Sequence, residues 1–189
     1  MNLYINCCVR KNSRTDRLAR EVLKKLDAPF EELKLETEGL LPLTEETLEK
    51  RTRWSGQGDY SDEMFCYAKQ FAAAEHIVIG APYWDMSFPS SLKVYIEHIY
   101  VTGIVSRYGE NGQPMGLCRA KTLTYVTTAG GPYEPAFSYG YIKTLAEQYM
   151  GIGEARLVSA EKLDIAGNDA EAILEKAVKE LGGRYENSV

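Results

Sequence analysis

The chain opens on a near-continuous apolar run, Leu3-Tyr4-Ile5-Asn6-Cys7-Cys8-Val9, the pattern of a strand buried on both faces. Leu18, Ala19, Val22, Leu23 and Leu26 then recur at helical spacing from Thr15, and Pro29 predicts that this helix closes at about Asp27. Phe30 to Leu35 alternates apolar and charged positions, as a strand at a sheet edge does, and the intervening helix makes the crossover that a parallel pair requires. His76-Ile77-Val78-Ile79-Gly80 is a compact buried strand, preceded by a helix that Asp62 caps and that carries Met64, Phe65, Ala68, Phe71 and Ala72. The alternation continues with a Pro/Gly/Ser-rich turn at 80–91, a helix from about Ser91 to Val101, a strand at Thr122 to Thr128 and a helix near Ala136 to Tyr149. A strand at Ala155 to Ala160 and a helix at Asp169 to Leu181, with Gly182-Gly183 as its stop, end the pattern. Residues 36–61 are less regular: Thr44 with Glu45 to Leu48 starts a short helix, and Gly56-Gln57-Gly58-Asp59 has loop chemistry.

Five strands alternating with helices predict an α/β fold, a doubly wound parallel sheet with helices on both faces. In the order 2-1-3-4-5 the topological switch point lies beside strands one and three, so ligand loops follow Val9 and Ile79, with a third after Thr128. The length of 189 residues suits one domain spanning 1–189. With 27 acidic and 22 basic side chains the net charge is −5, which argues against a nucleic-acid partner. The amino terminus lacks the features of a signal peptide and no apolar run approaches a membrane span. Cys7, Cys8, Cys66 and Cys118 show neither a disulfide framework nor a metal-binding spacing, so reduced thiols and a cytoplasmic location are expected. Cys7 and Cys8 read as small core residues on opposite faces of the first strand. His76 and His98 have no ligand cluster around them and read as structural; nothing in the sequence marks a metal site.

The first of the three loops, Arg10-Lys11-Asn12-Ser13-Arg14-Thr15-Asp16-Arg17, brings hydroxyls, backbone amides and four cationic side chains to a helix N-terminus, which is what a phosphate monoester needs. An N-cap loop with solvated bases explains Ser13 or Thr15 alone. Neither G-x-x-x-x-G-K-[ST] nor G-x-G-x-x-G occurs there, so a nucleoside triphosphate or a Rossmann dinucleotide is not the natural occupant. The second loop, Ala81-Pro82-Tyr83-Trp84-Asp85-Met86-Ser87-Phe88-Pro89, offers aromatic faces and amides to a flat heterocycle, although Trp84 and Phe88 also suit packing against a neighbouring subunit. The third, Thr127-Thr128-Ala129-Gly130-Gly131-Pro132-Tyr133, lets backbone approach a ring closely, though a plain turn also explains Gly130-Gly131. Phosphate binding, ring stacking and close backbone approach together are the requirements of flavin mononucleotide.

Arg10-x-x-Ser13-x-Thr15, the run Pro82 to Lys93, and Thr127-Thr128-Ala129-Gly130-Gly131 resemble the flavodoxin-like NAD(P)H:quinone oxidoreductases and FMN-dependent NADH-azoreductases, over Met1 to about Leu181. The resemblance implies a flavodoxin-like fold and FMN, or FAD in its place. It also implies NAD(P)H as co-substrate, giving hydride to the flavin before a quinone-like or azo acceptor replaces it. By the same resemblance Arg10, Ser13, Arg14 and Thr15 hold phosphate, and Pro82, Tyr83, Trp84, Asp85 and Met86 line the isoalloxazine. Thr127, Thr128, Ala129, Gly130 and Gly131 meet its other edge. Tyr133 flanks the nicotinamide or acceptor, and Asp85 stands near the ring as a tuning group. Tyr108, in Arg107-Tyr108-x-Glu110-Asn111-Gly112, belongs to a segment that reaches the partner's site, which implies a homodimer with shared active sites. Cys8 stands where relatives often carry serine, and Asp85 where azoreductases commonly carry asparagine. A flavodoxin-type electron carrier without small-substrate turnover is the alternative, but its Thr/Ser-x-Thr-Gly-x-Thr phosphate loop contrasts with an arginine-rich loop that has no glycine. A relative that binds no flavin and serves a partner protein is a third reading.

Overall fold

A computed structural model describes residues 1–185. Its central sheet has five parallel strands: β1 (Asn2–Asn6), β2 (Phe30–Lys34), β3 (His76–Gly80), β6 (Thr122–Thr128) and β7 (Glu154–Ala160), in the order β2-β1-β3-β6-β7. Two short strands, β4 (Ser106–Tyr108) and β5 (Pro114–Gly116), form a separate antiparallel hairpin. The helices are α1 (Arg14–Lys25), α2 (Glu45–Gly56), α3 (Cys66–Ala73), α4 (Ser90–Ile99), α5 (Tyr139–Thr144) and α6 (Ala170–Tyr185). The five-stranded parallel order agrees with the expectation from the alternating pattern.

Successive strand residues face opposite sides, so each strand feeds two cores. Leu3, Ile5, Ile77, Ile79, Leu123 and Tyr125 pack with residues of α3, α4 and α5 such as Phe71, Tyr95, Ile99 and Ile142. Tyr4, Val78, Val126 and Val158 face the other way and pack with Leu18 and Val22 of α1 and Leu174 and Leu181 of α6. Burial on both faces is why these strands read as continuous apolar runs. At the edge, β2 exposes Phe30, Glu31 and Glu32 and buries Leu33.

Several boundaries differ from those the sequence predicts. β1 ends at Asn6, and Cys7 and Cys8 lie beyond it, both buried; the Cys7 amide still donates to the Gly80 carbonyl at 2.9 Å. α2 runs 12 residues rather than one turn, opened by a capping box at Thr44 and Thr47. It buries none of its side chains completely, so no apolar stripe marks its length. The helix expected near Ala136 begins instead at Tyr139, because the amides of Ser138 and Gly140 both turn back to the Pro135 carbonyl. It then widens into a π turn over Leu145–Tyr149. Gly182-Gly183 does not stop α6, which continues to Tyr185 beyond the anchor Leu181. His76 shares a hydrogen bond with the Thr122 hydroxyl and a ring N–H of His98 donates to the Leu41 carbonyl, both structural contacts.

The hairpin had no counterpart in the sequence reading. It is pinned where Gly116 meets the backbone that follows the π turn: a Cβ on Gly116 would collide with Met150 and Gly151, and Gly151 itself has φ of 75°. The Leu117 amide donates to Val105 and the Cys118 amide to Met150. Backbone against backbone leaves no flexible side chain to move aside. Gly116→Ala is therefore expected to cost about 2–3 kcal/mol, visible as a Tm lower by roughly 4–12 °C and as faster tryptic cutting at Arg107. A Tm within 1 °C or so of the parent would show that the contact is not holding the hairpin.

Candidate functional site

The site begins with the junction of β1 and α1. Ser13 caps α1, its hydroxyl accepting from the Asp16 amide at 3.3 Å, while the Asp16 side chain reaches back under the loop. Asp16 accepts from the Tyr4 hydroxyl at 2.8 Å, the Asn6 amide group at 3.1 Å and Arg20 at 3.0 Å. Arg20 and Asn6 also donate to Glu32 on β2, and the Asn6 side-chain oxygen accepts from the Cys8 amide at 2.9 Å. Gly80 on β3 makes this possible, since a Cβ there would strike the Tyr4 hydroxyl. The loop over residues 8–13 is thus seated on a satisfied polar cluster rather than left free.

Bonds among the loops then fix their spacing. The Thr15 and Thr128 hydroxyls lie 2.6 Å apart, and the Tyr83 amide donates to the Thr128 carbonyl at 3.1 Å. Ala129 donates to Ala160, and the residues after β7 fold back on the third loop, with Leu163 donating to Ala129 and Asp164 to Gly130. Between them lies a cleft of about 400 Å³, lined by Cys8, Val9, Arg10, Asn12, Ser13, Arg14, Thr15, Pro82, Tyr83, Trp84, Thr128, Ala129, Gly130, Leu163 and Asp164. It opens at the carboxyl ends of β1, β3 and β6, where the switch-point rule puts a ligand.

Of the expected residues, Arg10, Ser13, Arg14, Thr15, Pro82, Tyr83, Trp84, Thr128, Ala129 and Gly130 line this cleft. Thr127, which is fully buried, and Gly131 lie outside its lining. Asp85 and Met86 are exposed at the tip of a two-residue turn closed by reciprocal bonds between Trp84 and Ser87. Both have positive φ, 48° and 64°, a conformation that favours asparagine and glycine, so the position is chosen for backbone geometry as much as for a carboxylate. Tyr133 stands beside the cleft, its ring edge-on to Tyr83 at 4.9 Å between centroids and its hydroxyl 2.9 Å from Ser138. Tyr108 sits on the exposed face of the hairpin, outside this chain's cleft.

Charge in the first loop is less concentrated than its four cations suggest. Arg17 pairs with Glu171 of α6 at 2.6 Å, which holds its guanidinium above the usual range, and Arg14 reaches across the cleft to Asp164 at 2.7 Å. Arg10 and Lys11 have no ion pair or hydrogen bond among the described residues, and neither do the backbone amides of Arg14 and Thr15 at the start of α1. Those amides are the donors a helix start leaves over. The Cys8 thiol, behind them, is pushed up to about 11, chiefly by burial, against a hydrogen bond from Ser13. It therefore stays protonated and inert as a nucleophile at neutral pH. Burial likewise raises the Tyr133 phenol, and its Ser138 bond opposes the shift. Cys8, Val9, Asn12, Leu163 and Asp164 were not singled out as lining residues by the sequence; Cys8 and Asn12 lie within or beside the first loop, while Leu163 and Asp164 carry no local signal.

A family described by a flavodoxin-like fold matches residues 2–184. The FMN-dependent NADH:quinone oxidoreductase 2 of Clostridium acetobutylicum is 38% identical over 153 residues, 78% of this chain and 75% of that enzyme. Among solved structures, the azoreductase from Bacillus anthracis str. Sterne superposes with a TM-score of 0.82 at 22% identity, covering 97% of both chains. An FMN-dependent NADH-azoreductase from Bacillus anthracis str. Ames Ancestor, solved in complex with FMN, gives 0.78 at 21% identity, covering 98% of this chain and 97% of that one. At these identities the structures speak for the fold, while the Clostridium sequence speaks for the family. This chain belongs to the FMN-dependent NADH:quinone oxidoreductase family of flavodoxin-like fold.

Proposed function

We propose that the chain binds FMN in the switch-point cleft and uses NADH to reduce small acceptors of the quinone or azo type. The observation that carries this reading is the division of one cleft into two chemistries. At one end are the unpaired Arg10 guanidinium and the free amides of Arg14 and Thr15; at the other, half-buried Tyr83 and the partly exposed Trp84. The donor set fits the group: Arg10 and the two amides would take the phosphate oxygens through charge-assisted bonds at the positive helix end. Tyr83 and Trp84 would support the ring system, with Ala129 and Gly130 admitting its edge to the backbone.

When bound, FMN supplies the two-electron chemistry that links NADH to the acceptor. The chain binds, orients and shields. Thr15 and Thr128 hold the first and third loops at a fixed separation, and the Tyr83–Tyr133 contact walls the cleft where an acceptor would enter. Tyr133 keeps its proton at neutral pH, with its hydroxyl held 2.9 Å from that of Ser138. The positive-φ turn at Asp85-Met86 presents Trp84 toward the cleft, and its backbone rather than the Asp85 side chain is what the neighbouring ligand would meet. Tyr108 and Met115, exposed on the hairpin, form the surface through which a homodimer would complete a partner's site. The azo and quinone options share one requirement, a flat acceptor small enough to take the nicotinamide's place.

Two outcomes check the reading. Purified protein is expected to carry, or to take up, one FMN per chain and to oxidise NADH steadily with a soluble quinone; flavin uptake without turnover would make it an electron carrier instead. Arg10→Ala is expected to weaken FMN by roughly 1.5–3 kcal/mol, about 10- to 150-fold, while riboflavin, which lacks the phosphate, binds within about twofold of the parent. Equal weakening of both ligands, measured by flavin fluorescence quenching, would remove Arg10 from the phosphate end.

A further inference from the structure

The residues that follow β7 bring a carboxylate into a cleft built for an anion. Asp164 lines the same cleft as Arg10 and the start of α1, and its Oδ1 lies 2.7 Å from Arg14 Nη1. Its placement is a product of the backbone: the Asp164 amide donates to Gly130, the Leu163 amide to Ala129 and the Lys162 amide to Gly131, clamping the segment to the third loop. Lys162 is held at φ of 62°, with its carbonyl accepting from Asn168. Gly130 is shaped to this arrangement, because a Cβ there would collide with the Asp164 carboxylate. The close approach that glycine permits in this loop is therefore used, at Gly130, by a protein side chain.

We propose that Asp164 is a selectivity residue, an internal counter-anion that occupies Arg14 and so restrains the affinity of the cleft for phosphate-bearing ligands. This rests on the FMN reading of the cleft. A phosphate entering beside α1 meets Arg10 and the helix amides at once, but recruits Arg14 only by displacing Asp164. Both partners are partly exposed, with side-chain exposures of 40% and 68%, so the pair itself is weak and the exchange costs little. What remains after exchange is a carboxylate close to a dianion, a repulsion that lowers affinity without blocking entry. The consequence is a cofactor held by charge but free to exchange, with an affinity that depends on salt.

Asp164→Asn keeps the shape and the backbone clamp and removes the charge. It is expected to tighten FMN by about three- to tenfold and to steepen the fall of affinity with added salt, leaving riboflavin within about twofold. Inorganic phosphate should compete with FMN at correspondingly lower concentration. Adding Arg14→Ala to Asp164→Asn is expected to abolish the gain, which assigns it to the released guanidinium rather than to a general change of charge. Thermal unfolding of each variant, with flavin titrations by fluorescence quenching, makes the comparison. Unchanged or weaker FMN binding by folded Asp164→Asn would overturn the proposal, the weaker case making Asp164 a holder of Arg14 in its binding pose. Failure of the parent protein to bind either FMN or riboflavin overturns the cofactor reading, and this inference with it.

Discussion

Everything that positions the cleft depends on the polar junction under the start of α1. Asp16 gathers the Tyr4 hydroxyl, the Asn6 amide group and Arg20, and Arg20 continues to Glu32 on the neighbouring strand. Asp16 is only partly buried, with 26% of its side chain exposed, and its three donors fix the orientation of the carboxylate, which makes the cluster a geometric specification. Tyr4 contributes apolar area to the core shared by α1 and α6 and offers its hydroxyl upward, an arrangement that needs the bare Cα of Gly80. Burial and the bond to Asp16 hold the Tyr4 phenol far above its ordinary value, so it remains a donor at any pH the protein meets. Helix, first strand and edge strand are locked together where the first loop of the cleft begins.

Above that base the cleft is a set of cross-braces, each joining segments distant in sequence. Thr15 reaches Thr128 and Arg14 reaches Asp164, while β3 and β6 continue their ladder through the Tyr83 amide. None of these bonds is strong alone, and neutral ones contribute about 1 kcal/mol each. Their value is in preorganisation, because a ligand that meets fixed donors loses less entropy on binding. The turn at Asp85-Met86 works in the opposite sense, holding two non-glycine residues at positive φ at a cost of order 1–2 kcal/mol apiece so that Trp84 faces the cleft.

How far the sequence discloses this varies with the physics. β3 and β6 were legible residue for residue, because strands buried on both faces leave uninterrupted apolar runs between turn residues. The convergence of the three loops on one cleft was legible because the alternation of strands and helices brings the turns after β1, β3 and β6 to one switch point. α2 beyond Leu48 was not, since a helix that lies on the surface with no fully buried residue shows no stripe. The β4–β5 hairpin was not, because three-residue strands carry almost no pattern and its anchor is an absent side chain at Gly116. Arg17 added to the apparent cation cluster, yet its partner Glu171 stands 154 positions away, a pairing no local window reveals. Asp164 was missed for the same reason: a carboxylate after a strand is ordinary until Arg14 and Gly130 are seen around it.

The order of the strands also has a meaning in time. β1 lies at the centre of the sheet and pairs with β3 in a register that sets Asn2 against His76, so the first strand made must wait for a distant neighbour. The cleft waits longer, since its walls include Cys8 near one end of the chain and Asp164 near the other. During synthesis no partial chain presents a completed site, and a cofactor arriving early finds at most its isolated fragments. Binding therefore reports a finished fold, and by mass action it stabilises the whole sheet rather than any single loop. Losing such a ligand would remove the chemistry and that added stability together, with the strand order unchanged.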